Sequence, residues 1–318
     1  MSRRAPAGFA DVFAAIADNV SRVLQGKPDV IELTLLCLIA EGHLLIEDVP
    51  GVGKTSLAKG LAASLDCRWA RIQFTPDLLP SDLVGVTIWN RASNEFEFRP
   101  GAVFANVVLG DEINRASPKT QSALLESMEE RQVTVDGITR PLEPPFMVIA
   151  TQNPVEHEGT YPLPESQLDR FLMRVSIGYP AREAELEILD AQGGDAPVDS
   201  LSPVATVKDV VAMTQVARQV HVAPSLKGYL VELADSTRRH PALAIGMSPR
   251  ATLALQKAAR ARAAASGREY VVPDDLKALA RPVLAHRLVL TPESAMQGVD
   301  TDEVVDDVLR HVPVPQGR

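Results

Sequence analysis

The run Val49-Pro50-Gly51-Val52-Gly53-Lys54-Thr55-Ser56 sits between a short apolar stretch and a segment with helical spacing. That arrangement suits phosphate. Glycines at 51 and 53 let backbone N–H groups converge on phosphate oxygens, and the positive end of a helix starting at Lys54 faces the same point. Lys54 can reach the outer phosphates of a nucleotide, and the Thr55 hydroxyl can ligate Mg2+. Pro50, Gly51, Val52, Gly53, Lys54, Thr55 and Ser56 are therefore the expected nucleotide-binding residues. One position departs from the eight-residue phosphate-loop pattern, which begins with glycine where this chain has Asp48.

A second group, Val107-Val108-Leu109-Gly110-Asp111-Glu112, reads as an apolar strand ending in two carboxylates. Taken alone, such a pair can simply cap a helix. After a phosphate loop it suits nucleotide chemistry: Asp111 on the metal side, holding Mg2+ through water, and Glu112 as the general base that polarises a water for attack on a γ-phosphate. ATP and Mg2+ are the expected cofactors, with Thr55 and Asp111 as the metal-side residues.

These groups need elements that bring strand ends together. Phe13, Ile16, Val20 and Leu24 recur at helical spacing, and Asp29 can cap a second helix leading into a strand at 43–47. A helix at 54–65 and a strand at 69–74 complete a βαβ beginning. Two alternating runs between 86 and 99 read as an inserted hairpin, followed by a strand at 106–110. Ser117 caps the next helix and Pro118 opens it; Asp136-Gly137 turns a further hairpin, and strands follow at 146–151 and 171–177. Strands alternating with helices, several apolar on both faces, predict an α/β domain: a parallel sheet with helices on both faces. Beyond Pro180 the patterns are helical, at 182–191, 207–220, 226–239, 249–266 and 274–285, with 193–204 as a joint rich in Gly, Pro, Asp and Ser. The expected division is 1–180 for the nucleotide-binding domain and 181–318 for a helical domain.

With both chemical elements placed, the chain resembles the MoxR family of AAA+ ATPases. The runs that carry the resemblance are LLIEDVPGVGKT at 44–55, VFANVVLGDEINRASPKTQSALLESMEE at 103–130, ATQNPVEHEGTYPLPESQLDRFL at 150–172 and GMSPRA at 246–251. It is strongest over the first 180 residues and thin in the helical remainder outside GMSPRA. The resemblance implies an AAA+ P-loop core followed by a small all-helical lid. It implies that Asn153 is sensor 1, holding the attacking water, and that Arg170 is the arginine finger that enters a neighbouring subunit's site, with Arg174 a rival for that duty. Arg250 matches sensor 2, in the first turn of a helix capped by Ser248 and begun by Pro249. The hairpin bearing Phe96 and Phe98 resembles the helix-2 insertion of the family's clade; it either faces a ring's pore or a client, or packs locally. The hairpin at Asp136-Gly137 is a candidate for the same role.

The function so implied is an ATP-hydrolysing, chaperone-like motor working as a homo-oligomeric ring, expected to be a hexamer. ATP would lie between the two domains, with Arg250 and Lys54 sharing one phosphate chain so that hydrolysis changes the lid angle. Implied clients carry a von Willebrand factor A domain. Arg115 is either a subunit contact or a capping ion pair.

Composition narrows the alternatives. In 318 residues, 32 Lys and Arg against 41 Asp and Glu leave a net charge of −9, so the chain as a whole repels nucleic acid and anionic membrane. A nucleic-acid motor needs a basic hairpin, but the first one carries Arg91, Glu95, Glu97 and Arg99 in balance. A slow nucleotide-dependent binding switch is the other rival; Glu112 and Arg170 speak against it. A small-metabolite kinase would leave the lid and sensor runs unexplained. Lys257, Arg260, Arg262, Arg238 and Arg239 read as a solvated or inter-subunit face, and Glu156, His157 and Glu158 as solvated polarity rather than a metal site. Cys37 and Cys67 lack C-x-x-C partners and read as reduced core residues. The longest apolar stretch, 30–46, contains Glu32, Glu41 and His43, so no membrane span is expected and the expected location is cytoplasmic.

Overall fold

A computed structural model describes residues 8–153, 160–180, 182, 185–186 and 200–315. The Glu156, His157, Glu158 cluster, most of the helix expected at 182–191 and residues 193–199 of the expected joint lie outside these. In chain order the first part contains α1 (Phe9–Ser21), α2 (Pro28–Ile39), β1 (Leu44–Glu47), α3 (Lys54–Ser64), β2 (Trp69–Gln73), α4 (Pro80–Val84), β3 (Val86–Asn90), β4 (Glu95–Arg99) and β5 (Val107–Asp111). It continues with α5 (Pro118–Glu130), β6 (Gln132–Val135), β7 (Ile138–Pro141), β8 (Met147–Gln152), α6 (Glu165–Leu168) and β9 (Met173–Val175).

The central sheet runs β2-β5-β8-β1-β9, every pair parallel. Alternation of side chains across the pleat divides the core. Leu44 and Ile46 of β1 join Phe13, Ile16 and Val20 of α1 and Leu57 and Leu61 of α3 in one apolar cluster; Leu45 joins Val108, Val148, Leu124 and Met128 in a second on the opposite face. The two hairpins, β3-β4 and β6-β7, are separate antiparallel ribbons. The β6-β7 turn is made by Asp136 at φ 53° and Gly137 at φ 75°, as expected for an Asp-Gly pair.

The C-terminal part is mainly helical: Val207–Gln219, Pro224–Arg238, Pro249–Ala265 and Pro273–Leu284 follow the expected patterns within a residue or two. A late helix and a small ribbon are among the elements that escaped the sequence reading. Thr301–His311 is a helix held by Val304, Val305 and Val308 and capped by Asp300, and Leu243–Ile245 pairs with Val289–Leu290 in a short ribbon. The ribbon strands of two and three residues are too short to show a period, and in the helix the modest helical preference of valine is offset by the Asp300 cap and by packing. The helix Pro249–Ala265 buries Ala251, Ala254, Ala258, Ala259 and Ala261, and these small side chains belong to the same apolar cluster as α1, α2 and α3.

His43, just before β1, fastens three elements. It is buried; its Nε2 donates to the Met128 carbonyl at 3.1 Å and its Nδ1 accepts from the Val148 N–H at 3.0 Å. This pairing requires the neutral ring. Burial, assisted by the Arg131 charge, pushes the imidazole pKa down to about 3, and burial likewise holds His286 well below its ordinary value. Unfolding frees both rings to take up protons near pH 6.5, so their contribution to stability is complete above that pH and is lost progressively as pH falls toward 3. The melting temperature is accordingly expected to fall from pH 7 to pH 5 in scanning calorimetry. A flat profile would show that these rings carry a proton in the folded state.

Candidate active site

Because the strands are parallel, their C-terminal ends open on one edge, the position where α/β sheets bind ligands. The loop from β1 to α3 crosses that edge. Gly51 at φ 85° and Gly53 at φ 99° hold left-handed conformations that glycine adopts readily. No side chain caps α3, so its first N–H groups face the cavity edge as an anion site. Lys54 Nζ donates to the Asp48 carbonyl at 2.6 Å.

Asp48 explains the departure from glycine at the start of the motif. Its Oδ2 accepts from the N–H groups of Ile177 at 2.7 Å and Gly178 at 2.6 Å and from the Ser176 hydroxyl at 3.0 Å, while Oδ1 accepts from the Val49 N–H at 2.9 Å. Burial disfavours its charge, but the hydrogen bonds from Gly178, Ser176, Val49 and Ile177 outweigh burial and hold the carboxyl below its usual range. The carboxylate thus ties the phosphate loop to the segment after β9.

A cavity of about 340 Å3 lies over this edge. Pro50, Gly51, Gly53, Lys54, Thr55 and Ser56 line one side, and Asp111, Glu112, Thr151 and Asn153 line the other. Of the expected loop residues only Val52 turns its side chain into the core, leaving its backbone to the cavity side. β8, which carries Thr151 and leads to Asn153, lies between β1 and β5, so the phosphate loop and the acid pair face each other across it.

Glu112 adopts φ 58°, a strained conformation for a non-glycine residue. Its N–H donates to Thr151 Oγ1 at 2.9 Å, and its carboxylate accepts from Gln73 Nε2 at 2.8 Å and from Arg115 Nη1 at 3.1 Å. Arg115 is therefore an intrachain partner of Glu112. Asp111 pairs with Arg71 Nε at 2.7 Å and is 3.4 Å from Thr151 Oγ1. Sequence reasoning missed Gln73 and Arg71. The one available signal was that residues 71 and 73 share a face of β2 by alternation; that this face adjoins Asp111 depends on β2 pairing with β5.

The donor set suits Mg2+: one hydroxyl and one carboxylate oxygen leave room for water and phosphate oxygens, the usual way this ion is held. Among the described residues there is no cluster of three or more His, Cys, Asp or Glu for a metal bound by protein alone.

Arg170 and Arg250 lie elsewhere. Both pair with Glu129 in the last turn of α5, Arg170 Nε at 3.2 Å. α5 runs back from the acid pair, and the neighbouring Met128 carbonyl binds His43 at the start of β1. The two arginines therefore sit at the N-terminal end of the strands, separated from the phosphate loop by β1, roughly 13 Å of strand. This corrects the expectation that Arg250 and Lys54 share one phosphate chain within a molecule. Among the described residues no lid side chain lines this cavity. Ser248 and Pro249 do begin the helix as expected, with Ser248 Oγ accepting from the Ala251 N–H at 3.1 Å. Arg174 is engaged by Glu47 at 2.9 Å. A larger cavity of about 720 Å3, between the start of α2, β9 and the lid, is walled by charged side chains that include this pair.

The first hairpin divides its aromatic residues. Phe98 stacks edge-on against Phe104 and lies under the Arg140 guanidinium, 3.8 Å from the ring centre, whereas Phe96 is 74% exposed and touches Trp89. Local packing holds for Phe98 and exposure for Phe96. Phe98→Ala is expected to destabilise the fold by about 1–2 kcal/mol, and Phe96→Ala by less than about 0.5 kcal/mol. Urea unfolding checks the contrast, and equal losses would contradict it.

A glycine-rich loop on one strand, an acid pair two strands away and a helical lid define a P-loop ATPase module. The model for the ATPase family associated with various cellular activities matches residues 43–173, and the AAA lid domain matches 235–308. The chain is 50% identical to YeaC of Bacillus subtilis over 95% of this chain and 94% of that protein, and 40% identical to Chaperone MoxR1 of Mycobacterium tuberculosis over 99% and 87%. Protein MoxR of Methylorubrum extorquens is 31% identical over 95% and 94%. A crystal structure of a candidate ATPase from Cytophaga hutchinsonii superposes with TM-score 0.91 at 39% identity, covering 97% of this chain and 96% of that one. The chain belongs to the MoxR family of AAA+ ATPases. None of the helices described is long and apolar enough to cross a membrane.

Proposed function

We propose that this ATPase hydrolyses ATP with Mg2+ at the cavity beside Gly53 and works as a ring in which each site is completed by the next subunit. The observation that carries the reading is the placement of Arg170 and Arg250 on Glu129, at the opposite end of the sheet from the cavity, which suits a role toward another subunit's phosphates. Within one chain, Lys54 and the α3 N–H groups hold the phosphates, Thr55 and Asp111 hold Mg2+, and Glu112 takes the proton from the attacking water. Asn153 orients that water through its amide. Bound Mg2+ supplies charge neutralisation on the phosphate oxygens. From the neighbour, Arg170 and Arg250 bring guanidinium charge to the γ-phosphate.

The name Chaperone MoxR1 supports a chaperone role, and we propose a protein client met by exposed Phe96 and Trp89, with von Willebrand factor A-domain proteins as first candidates. The cluster of Arg170, Arg250 and Arg287 against Glu129 and Asp169 carries one net positive charge, which suits an approaching phosphate. A closed hexamer in the cytoplasm is the arrangement proposed. Nucleic acid is not among the proposed partners, because Glu95 and Glu97 balance Arg91 and Arg99 on the hairpin.

Arg170→Ala tests the reading: it is expected to retain ATP binding and lose turnover, by about 10³-fold or more for a finger arginine. Mixing it with Lys54→Ala chains, which keep Arg170 but not the lysine, should restore part of the turnover. Full activity of a monomeric Arg170→Ala chain would refute the role in trans.

A further inference from the structure

We infer that Arg287, a lid residue, is a positioning residue for Arg170; the inference rests on the role in trans proposed above. Arg287 closes the short turn Ala285–Arg287 after the lid helix Pro273–Leu284, and its side chain is 3% exposed. Its Nη2 donates to the carbonyl of Asp169 at 3.2 Å and to that of Phe171 at 2.7 Å, the residues immediately before and after Arg170. Nε faces the Asp169 carboxylate at 2.9 Å, and Nη1 donates to the Val283 carbonyl at 2.7 Å within the lid. One buried cation therefore brackets Arg170 and anchors the bracket to a lid helix.

The surrounding contacts follow the same pattern. His286 Nε2 shares the Phe171 carbonyl at 3.0 Å, and Ser248 Oγ at the head of the Arg250 helix reaches Asp169 Oδ2 at 3.4 Å. The Arg170 side chain and the lid's Arg250 meet on one carboxylate, Glu129. Burial lowers the Arg287 pKa to about 10, with Asp169 opposing, so the guanidinium stays charged at neutral pH. A planar fork can meet two carbonyls and a carboxylate at once, which an ammonium on a flexible stem cannot. An ion pair serving only to glue the lid to the core would need Asp169 alone. The two carbonyls flanking the finger are the additional feature, and through them a lid displacement carries the backbone of Arg170 with it. The lid of one subunit thereby governs hydrolysis in the next.

The test uses the full chain with Arg287→Lys and, should that variant fail to fold, Asp169→Asn. Both are expected to bind ATP by calorimetry with wild-type affinity and to lose kcat about tenfold to hundredfold, as a displaced catalytic group does, with KM unchanged. Mixed with Lys54→Ala chains, each should regain turnover, because the variant's own cavity then faces an intact Arg170; a chain damaged in its own site would not. Wild-type kcat in both variants would overturn the inference, as would losses that mixing does not restore while Arg170→Ala is restored under the same conditions. If Arg170→Ala is itself not restored, the role in trans falls and the inference falls with it.

Discussion

Glu112→Gln is expected to bind ATP as wild type does and to hydrolyse it about 10²–10⁴-fold more slowly, the range for removal of a general base. The substitution keeps size and shape. The strained backbone at residue 112 is held by its N–H bond to Thr151 Oγ1, which the change does not touch, and a glutamine oxygen can still accept from Gln73 or Arg115. What disappears is the carboxylate's capacity to take a proton. Calorimetry with ATP and steady-state phosphate release separate the two effects; turnover equal to wild type would remove Glu112 from the base role. The same variant, frozen with ATP, is the natural bait for identifying the client.

Lys54→Ala is expected to weaken ATP binding by about 10²–10⁴-fold. Two charge-assisted contacts to outer phosphates contribute about 1.5–3 kcal/mol each, or about 3–6 kcal/mol together. The fold should survive, since alanine is the best helix former at the start of α3 and Lys54 is only half-buried, at the rim of the cavity, where it bonds the Asp48 carbonyl. The melting temperature without nucleotide should therefore stay near wild type, whereas the rise in melting temperature that ATP gives wild type should vanish. An undiminished ATP-induced shift would place the triphosphate somewhere other than the loop at Gly53. Lys54→Ala and Glu112→Gln together separate gripping the phosphates from cutting them.

What could be read in advance was what neighbouring residues dictate. The loop from Pro50 to Ser56 and the acid pair at Asp111 and Glu112 are contiguous, and spacing alone puts each at the end of a strand. Apolar runs, period-2 alternation and period-3.6 spacing located the five sheet strands and the longer helices, and Ser117-Pro118 and Ser248-Pro249 marked helix starts that the structure contains. The small ribbon was not legible, because strands of two or three residues carry no period and the lid core decides them; the last helix, capped by Asp300 with Val304, Val305 and Val308 on one face, was legible and went unread.

Other features depend on which elements meet. Strand order sets Arg71 and Gln73 beside the acid pair, and four hydrogen bonds from residues 49 and 176–178 give Asp48 its place in the loop. Phe96 and Phe98 share one face of β4 and one sequence pattern, yet only Phe98 finds Phe104 and Arg140. Arg170 and Arg250 stand 80 residues apart, and the docking of the lid brings both to Glu129, away from Lys54. The amino-acid sequence by itself determined the loop and the acid pair proposed to grip phosphate and activate water, because short-range spacing along a strand or helix fixes their geometry. Tertiary structure alone decided that Arg170 and Arg250 stand away from that cavity, because their place depends on the end of the sheet against which a distant helix packs.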